Sequence, residues 1–236
     1  MQVDRPPVDD SELAQALKWS VQELLSAQEE MQVDYFDLPA QTLGANKVNV
    51  AAIKKEEINE VCGQLIKIGL FVKAVTIEEL AICDLLPKSN DAVIALMQKS
   101  GAEISLNIIK EGKLYFNRSF RGYESLSSFS EPELKMGVID NLSIEIQRSM
   151  DFFESQLRQG GVKRILVHLD TPYTDTVVEL IKTSMLMEVG QIQLDVPMAL
   201  DVNIESASCA VLGAALMDSV DVSDKKVAGE KIEEGA

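Results

Sequence analysis

His168 and Asp170 are the residues of this sequence whose types and spacing come closest to acid–base chemistry. His168 is the only histidine, and it ends the apolar run Ile-Leu-Val-His. A histidine that acts as a general base needs a nucleophile within reach and a carboxylate that orients its ring. Asp170 lies on the same side of the strand's end and could orient the ring, but no nucleophile motif accompanies the pair. The sequence therefore favours a plain histidine at the end of a strand.

The three cysteines do not form a metal site. Cys62, Cys83 and Cys209 are isolated from one another, lie among apolar neighbours and show no CxxC spacing. A zinc site needs about four cysteine or histidine ligands at characteristic spacing. We therefore expect no metal, and we expect the three thiols to be buried core residues.

Composition limits the classes of partner. The 236 residues include 38 acidic and 22 basic ones, which gives a formal net charge of −16. This charge argues against nucleic acid and anionic lipid as direct partners, and it permits a basic peptide. No apolar stretch approaches the roughly 20 residues of a membrane span, and the first residues carry no secretory signal. The sequence thus predicts a cytosolic protein without direct membrane insertion.

The order of elements in the second part of the chain predicts its fold. Hydrophobic patterning indicates three strands, a long helix and then alternating strands and helices. The predicted ranges are strands 92–97, 103–109 and 113–120, helix 131–158, strand 164–168, helix 173–187, strand 191–194 and helix 206–217. We expect Gly160 and Gly161 to end the long helix. The order βββαβαβα is typical of the ribonuclease H-like half-domain, which is duplicated in actin-like proteins. We therefore predict an α/β fold of the actin-like class.

The first part of the chain gives a shorter pattern. It predicts strands at 2–4, 32–38, 47–53 and 70–75, and helices from about 9 to 27, at 55–68 and at 77–86. The helix at 55–68 is amphipathic, and we expect its residues Ile58, Val61, Leu65 and Ile68 to point inward. We interpret 1–90 as the remainder of a first half with an inserted small α/β element at about 2–38, 91–218 as the second half, and 219–236 as a disordered acidic tail. The opening strands of the first half are absent, so we expect the chain to begin inside a longer protein.

Several segments resemble a known family. They are Leu-Ala-Gln-Ala-Leu-Lys-Trp at 13–19, the strand at 31–36, the stretch at 108–118 and Glu-Ile-Gln-Arg-Ser-Met-Asp-Phe-Phe-Glu-Ser-Gln at 145–156. Together they resemble the actin-like proteins of type IV pilus assembly, the PilM-like family, and within it the branch of the mannose-sensitive haemagglutinin (MSHA) pilus. The resemblance implies a cytoplasmic scaffold, peripheral to the inner membrane, that binds the N-terminal tail of a single-span, PilN-like assembly protein.

The resemblance also locates two nucleotide loops. Actin-like proteins cradle phosphates with Asp-x-Gly-x-x-x-Thr loops, and the alignment puts Gln98 at the aspartate and Ser100 at the glycine; Gly101 comes one place late and Glu103 falls on a threonine position. The adenosine loop is typically Gly-Gly, and His168, Leu169 and Asp170 stand there instead. Asp170 or Thr171 would then only cap the next helix. We therefore expect a degenerate nucleotide site, no cofactor and no enzymatic activity.

In that family the partner's tail lies between the first half's core and its insertion. By position, the candidate partner-binding residues here are Leu17, Trp19, Val21, Tyr35 and Phe36. Trp19 lies off the apolar stripe of its predicted helix, so it either packs under a neighbouring loop or anchors a partner.

Two alternative functions share this fold. A nucleotide-dependent actin-like ATPase or small-molecule kinase requires intact phosphate loops, which Gln98, Ser100 and Asp170 contradict. A polymerising protein similar to FtsA requires nucleotide as well.

Overall fold

The computed structural model describes residues 1–192 and 208–217. These residues fall into two units, which are described separately. The first contains Met1–Asp37 and Ala45–Val75, and the second contains Leu38–Gly44 and the described part of Thr76–Leu216. The division into 1–90 and 91–218 that the sequence predicts stays a prediction, and the predicted tail at 219–236 lies outside the described residues.

The first unit is a three-stranded antiparallel sheet covered by one helix. Strands β1 (Gln2–Asp4), β2 (Met31–Phe36) and β3 (Lys47–Lys54) pair in the order β1-β3-β2. Helix α1 (Asp10–Leu24) lies on this sheet because apolar residues recur at its helical spacing. Its buried residues Leu13, Leu17 and Val21 form one cluster with Val48 and Val50 of β3.

Helix α2 (Lys55–Lys67) begins directly after β3, but its apolar face is not buried. The sequence predicted that Ile58, Val61, Leu65 and Ile68 would point into a core. No residue of α2 is buried, and Ile68, just after the helix, is 72% exposed. Periodicity shows that a helix has an apolar face, but it does not show what covers that face, so this prediction is wrong.

The predicted strand at 70–75 is also wrong. This segment has no regular structure, and Phe71 is 98% exposed. Apolar and β-branched residues favour a strand only where a neighbouring strand pairs with them. None of the strand pairs in the described residues includes this segment.

The second unit is built on a five-stranded mixed sheet. Its strands are β4 (Val93–Met97), β5 (Ile104–Lys110), β6 (Lys113–Phe120), β7 (Arg164–His168) and β8 (Glu188–Gln191), in the spatial order β6-β5-β4-β7-β8. The first three form an antiparallel meander, and β7 and β8 continue the sheet in parallel. This is the strand order of the ribonuclease H-like half-domain, so the structure confirms the predicted fold class.

Glycine permits close backbone geometry at two places in this unit, a hairpin turn and a pair of packed helices. The β5–β6 hairpin turns at Glu111 and Gly112, whose φ angles of +55° and +70° are those of the tight turns that match strand twist. Helices α3 (Glu78–Leu85) and α7 (Cys209–Leu216) pack together so closely that a Cβ on Gly213 would overlap the carbonyl oxygen of Ala81. Only glycine permits this approach.

The long helix predicted at 131–158 is interrupted near its start. A short helix, α4 (Glu131–Glu133), is followed by a wider π-type turn at Leu134–Val138 and then by α5 (Ile139–Ser155). Gly137 adopts a φ of +115°, which other residues avoid. The sequence pattern missed this break because the apolar residues keep their spacing through it.

The later element boundaries differ by a few residues. The structure places α6 at Thr174–Met185 and ends α5 before Gly160 and Gly161, which the sequence had identified as its stop. Arg158 instead takes a left-handed φ of +54° three residues after α5. The predicted strand at 191–194 lies at Glu188–Gln191, and the parts of the predictions at 193–207 lie outside the described residues.

Helices α5 and α6 cover one face of the five-stranded sheet. Ile146 and Phe153 of α5 and Val177 and Ile181 of α6 are buried in one cluster with the alternate residues of the central strands. Phe153 also meets Tyr115 edge to face, with ring centroids 6.1 Å apart. This cluster is the main core of the second unit.

We predict that Met150→Asp strongly destabilises the second unit. Met150 is buried on the core side of α5, and a buried carboxylate without a partner costs about 3 kcal/mol or more. Ile144→Asp is the matched control, since Ile144 lies on the same helix and is exposed. Chemical denaturation measures both; a Met150→Asp variant as stable as the control would show that the helix face is wrong.

Candidate functional site

The candidate site of the second unit lies where two central strands end. Strands β4 and β7 are parallel and in register, with Met97 opposite His168. Their carboxyl ends, and the loops that follow, therefore meet at the same edge of the sheet, the usual location of ligand sites in open α/β sheets. A cavity of about 550 Å³ lies there; its lining is Glu78, Met97–Ser100, His168–Pro172, Ser208 and Cys209.

Gln98 connects the segments around this cavity. Its Nε2 donates to the carbonyl oxygens of Ala102 (2.9 Å) and Tyr123 (2.7 Å). Its Oε1 accepts from the backbone N–H of Asp170 (3.3 Å), and its own backbone N–H donates to the carbonyl of His168 (2.9 Å). Gln98 thus holds the loops after β4, β6 and β7 together.

A carboxylate at this position could not form the same network. Ionised carboxylates only accept hydrogen bonds, whereas an amide nitrogen donates two. An aspartate, which the resemblance predicts at this point of the loop, would leave the carbonyl oxygens of Ala102 and Tyr123 without their donor. The glutamine is therefore engaged in holding loops and is mostly buried.

Two other residues of the predicted phosphate loop, Gly101 and Glu103, do not contribute to the lining of the cavity. Ser100 lines it, while the carboxylate of Glu103 accepts a hydrogen bond from Nε of Arg121 at 3.0 Å. Gly101 has a φ of +73° and forms the exposed turn. Lys99 forms an ion pair with Glu78 of α3, so the charge of the cavity's lysine is matched within the unit.

The predicted adenosine loop does line the cavity. His168, Leu169 and Asp170 all contribute to its wall. Burial lowers the pKa of His168 below its ordinary value, so the ring is neutral at neutral pH. Oδ2 of Asp170 is buried and accepts no hydrogen bond among the described residues.

Neither Asp170 nor Thr171 caps the next helix as the sequence had suggested. The residue before α6 is Tyr173, and no side chain caps its first turn. Oγ1 of Thr171 accepts instead from the N–H of Tyr173 at 3.3 Å. This bond closes a turn just before the helix begins.

The cysteines of this unit are not activated. Burial raises the pKa of Cys83 to about 12, and burial and then the charge of Glu78 raise the pKa of Cys209. Both are therefore thiols at neutral pH, and the thiolate is the nucleophilic form. Cys209 beside the histidine loop is thus not an activated nucleophile. Within residues 1–192 and 208–217, no group of acidic, histidine and cysteine residues could hold a metal ion.

The structure separates the residues predicted to bind a partner in the first unit. Leu17 and Val21 are buried between α1 and the sheet, where Tyr35 also packs. They cannot line an open groove in this arrangement, because their side chains have no exposed surface. Trp19 lies on the opposite side of α1 and is 69% exposed. Phe36 is half-buried and, next to Tyr35 in β2, points to the other face of the sheet.

A charged cavity of the first unit was missed by the sequence interpretation. It holds about 610 Å³ at the junction of β2, β3 and α2, and its lining is Glu29, Glu30, Lys54–Glu56, Asn59 and Glu60. Glu30 accepts from Lys18 and Lys55 at 3.0 and 3.1 Å, and these two bonds lower its pKa. The signal available in the sequence was the density of glutamates at 29–30 and 56–60, which is equally typical of a solvated surface.

These features define an α/β protein of the actin-like fold. Among solved structures, the chain is similar to the PilM–PilN type IV pilus biogenesis complex, with 17% identity over 82% of this chain and a TM-score of 0.53. The match spans 65% of the length of that chain. At this identity the similarity establishes the fold alone.

Two further solved structures are similar at lower scores. They are the cytoplasmic domain of EpsL, an inner membrane component of the type II secretion system of Vibrio cholerae (14% identity, 79% of this chain and 68% of that one, TM-score 0.39), and the ethanolamine utilization protein EutJ from Carboxydothermus hydrogenoformans (16%, 88% and 73%, 0.43). Neither score carries an argument about function. No protein-family model matches the sequence, and no curated protein matches it. Among the helices that the structure describes, none has the length and apolar character of a membrane span.

We predict that Gln98→Asp destabilises the second unit by about 2–4 kcal/mol, because it removes two donated hydrogen bonds and buries a carboxylate. Gln147→Asp is the matched control, since Gln147 is exposed on α5 and makes one surface hydrogen bond. Urea denaturation of both variants checks the prediction. Equal stabilities would show that the Gln98 network contributes nothing to holding the loops.

Proposed function

We propose that this protein is a non-enzymatic cytoplasmic scaffold of type IV pilus assembly, of the MSHA type, peripheral to the inner membrane. It binds the N-terminal cytoplasmic tail of a single-span inner-membrane protein similar to PilN. The observation that carries the proposal is the Gln98 network, which engages the Gln98 side chain at the strand-end cleft in hydrogen bonds within the chain. The actin-like fold and its similarity to a pilus assembly protein support it.

The chemistry of the cleft favours a scaffold over an enzyme. A nucleotide-hydrolysing protein needs a carboxylate that organises Mg²⁺ and water and backbone N–H groups that approach the phosphates. Gln98 provides an amide that is already engaged, and Glu78 pairs with Lys99. Asp170, the other carboxylate of the lining, follows β7 at the adenosine loop and not at the phosphate loop. His168 is neutral, and no activated nucleophile lies beside it.

The first unit offers the partner tail two kinds of contact. Trp19 presents most of its ring on the outer side of α1, and exposed aromatic residues commonly anchor interfaces. The charged cavity has four glutamates and two lysines, so its lining is net negative and suits a basic tail. Lys18 reaches Glu30 at the rim, which makes α1 and the cavity neighbours.

Apart from Trp19, which lies on the outer side of α1, the proposed contacts lie along one strand. The cavity is at the start of β2, and Tyr35 and Phe36 are at its end. Six residues of a strand span about 20 Å, a length that an extended tail of about six residues also covers. Tyr35 and Phe36 are half-buried, so each keeps some surface for a partner.

We predict no measurable binding of ATP. Titration calorimetry with ATP and Mg²⁺ up to millimolar concentrations should give no heat of binding, because Gln98 and Ser100 replace the aspartate and glycine of the phosphate loop and His168–Asp170 replace the Gly-Gly of the adenosine loop. A dissociation constant in the low micromolar range would refute the scaffold proposal in favour of an actin-like ATPase or kinase.

We predict that the tail peptide of a PilN-like protein binds this chain and that Trp19→Ala and Phe36→Ala each weaken binding about tenfold or more. Glu56→Gln with Glu60→Gln should weaken it less and reduce its salt dependence, since these charges act mainly on encounter.

Phe71→Ala is the matched control, because it removes an exposed aromatic ring of the same unit that lies outside the proposed surface. Wild-type binding that survives both aromatic substitutions would refute the proposed surface. Absence of wild-type binding would refute the partner itself.

A further inference from the structure

Half of the arginines of this acidic chain line one cavity. The sequence has six arginines, and Arg118, Arg121 and Arg148 surround a cavity of about 390 Å³ between the end of β6, the loop that follows it and the outer face of α5. The chain carries a net charge of −16, so a cluster of this kind is unusual for its composition. It belongs to the second unit and takes no part in the cleft described above.

Glu145 holds two of these arginines side by side. Its two carboxylate oxygens accept from Nη2 of Arg118 at 3.0 Å and from Nη1 of Arg148 at 2.6 Å. Each guanidinium carries five N–H donors in a rigid fork, so most donors of both groups stay available. One carboxylate between two guanidinium groups also leaves one positive charge unmatched. Arg121 is paired with Glu103 at the edge of the cavity.

The cavity combines these donors with an apolar wall. Phe120 forms its floor, with the guanidinium carbon of Arg118 5.6 Å from the ring centroid. Ile144 is half-exposed, and Tyr123 and Asn141 add a hydroxyl and an amide to the lining. Arginine, tyrosine and apolar side chains together are the composition of interface centres, where binding energy concentrates.

The shape of the cavity suits an extended ligand. Asn141, Ile144, Glu145 and Arg148 follow one another at helical spacing along α5 and extend over about 10 Å of its surface. A compact anion such as phosphate would contact only one end of such a stripe. A short peptide can place two carboxylates on the arginines and an apolar side chain on Ile144 and Phe120.

We propose that this cavity is a docking site for an acidic peptide segment of a partner protein, with carboxylates that bind Arg118 and Arg148. The net charge of the chain repels such a ligand at long range, but that field is screened beyond about 8 Å at physiological salt. Binding therefore depends on contacts within the cavity. This site prefers a negatively charged ligand, whereas the surface proposed for the tail prefers a basic one. The two proposals can therefore be tested independently.

The test measures fluorescence anisotropy of a labelled short peptide of alternating glutamate and leucine, at physiological ionic strength. A peptide with glutamine in place of glutamate is the control ligand. We expect Arg148→Gln to weaken binding about tenfold, because it removes a charge-assisted contact, and Arg118→Gln with Arg148→Gln to abolish it. Arg148 is 65% exposed on its side chain, so the single variant keeps the fold.

Arg158→Gln is the matched protein control, since Arg158 is exposed, carries the same charge and lies outside the cavity. Unchanged binding in Arg158→Gln together with loss in Arg148→Gln supports the proposal. Equal weakening by both would show that only net charge matters and would overturn it. Absence of binding to the acidic peptide, or displacement of the peptide by millimolar inorganic phosphate, would also overturn it, the latter in favour of a small-anion site.

Discussion

The parallel pairing of β4 with β7 is the constraint on which the rest of the second unit depends. All five residues of β4 are buried, and its register with β7 brings Met97 opposite His168. Parallel strands need a long crossover connection, and here it contains the antiparallel strands β5 and β6, then α4, the π-type turn and α5. The same pairing brings the loops after both strands to one edge, where the cleft lies.

The hydrogen bonds of Gln98 connect the loops that surround that cleft. Because an amide both donates and accepts, one side chain links three loops that a carboxylate would leave apart. The loops around the cleft are thereby joined by hydrogen bonds within the protein. The two binding surfaces proposed above, at Trp19 and at the arginine cavity, both lie outside this cleft.

Much of the fold could be predicted from the sequence, because strand alternation and helical spacing report burial directly. The meander, β7 and the actin-like class follow from such patterns. The break at Gly137 could not be predicted, because one glycine does not disturb the periodicity of the apolar residues. The exposure of the apolar face of α2 could not be predicted either, because a helical pattern does not show which element packs against it. At the site, the sequence located Gln98 and His168 but not the hydrogen bonds of Gln98. It placed Leu17 and Val21 on a partner surface by their position in the resemblance, whereas the helical spacing of α1 turns both toward the sheet.

The exposed apolar side chains around α2 have a consequence for the colloidal behaviour of the protein. Val61, Ile66, Ile68 and Phe71 lie bare on a chain whose charge of −16 keeps its copies apart. Mutual repulsion between the charged copies therefore opposes their association in solution. Added salt screens this repulsion and reduces its range to about 3 Å at molar concentration. Added salt should therefore lower the concentration at which copies of this protein begin to cluster.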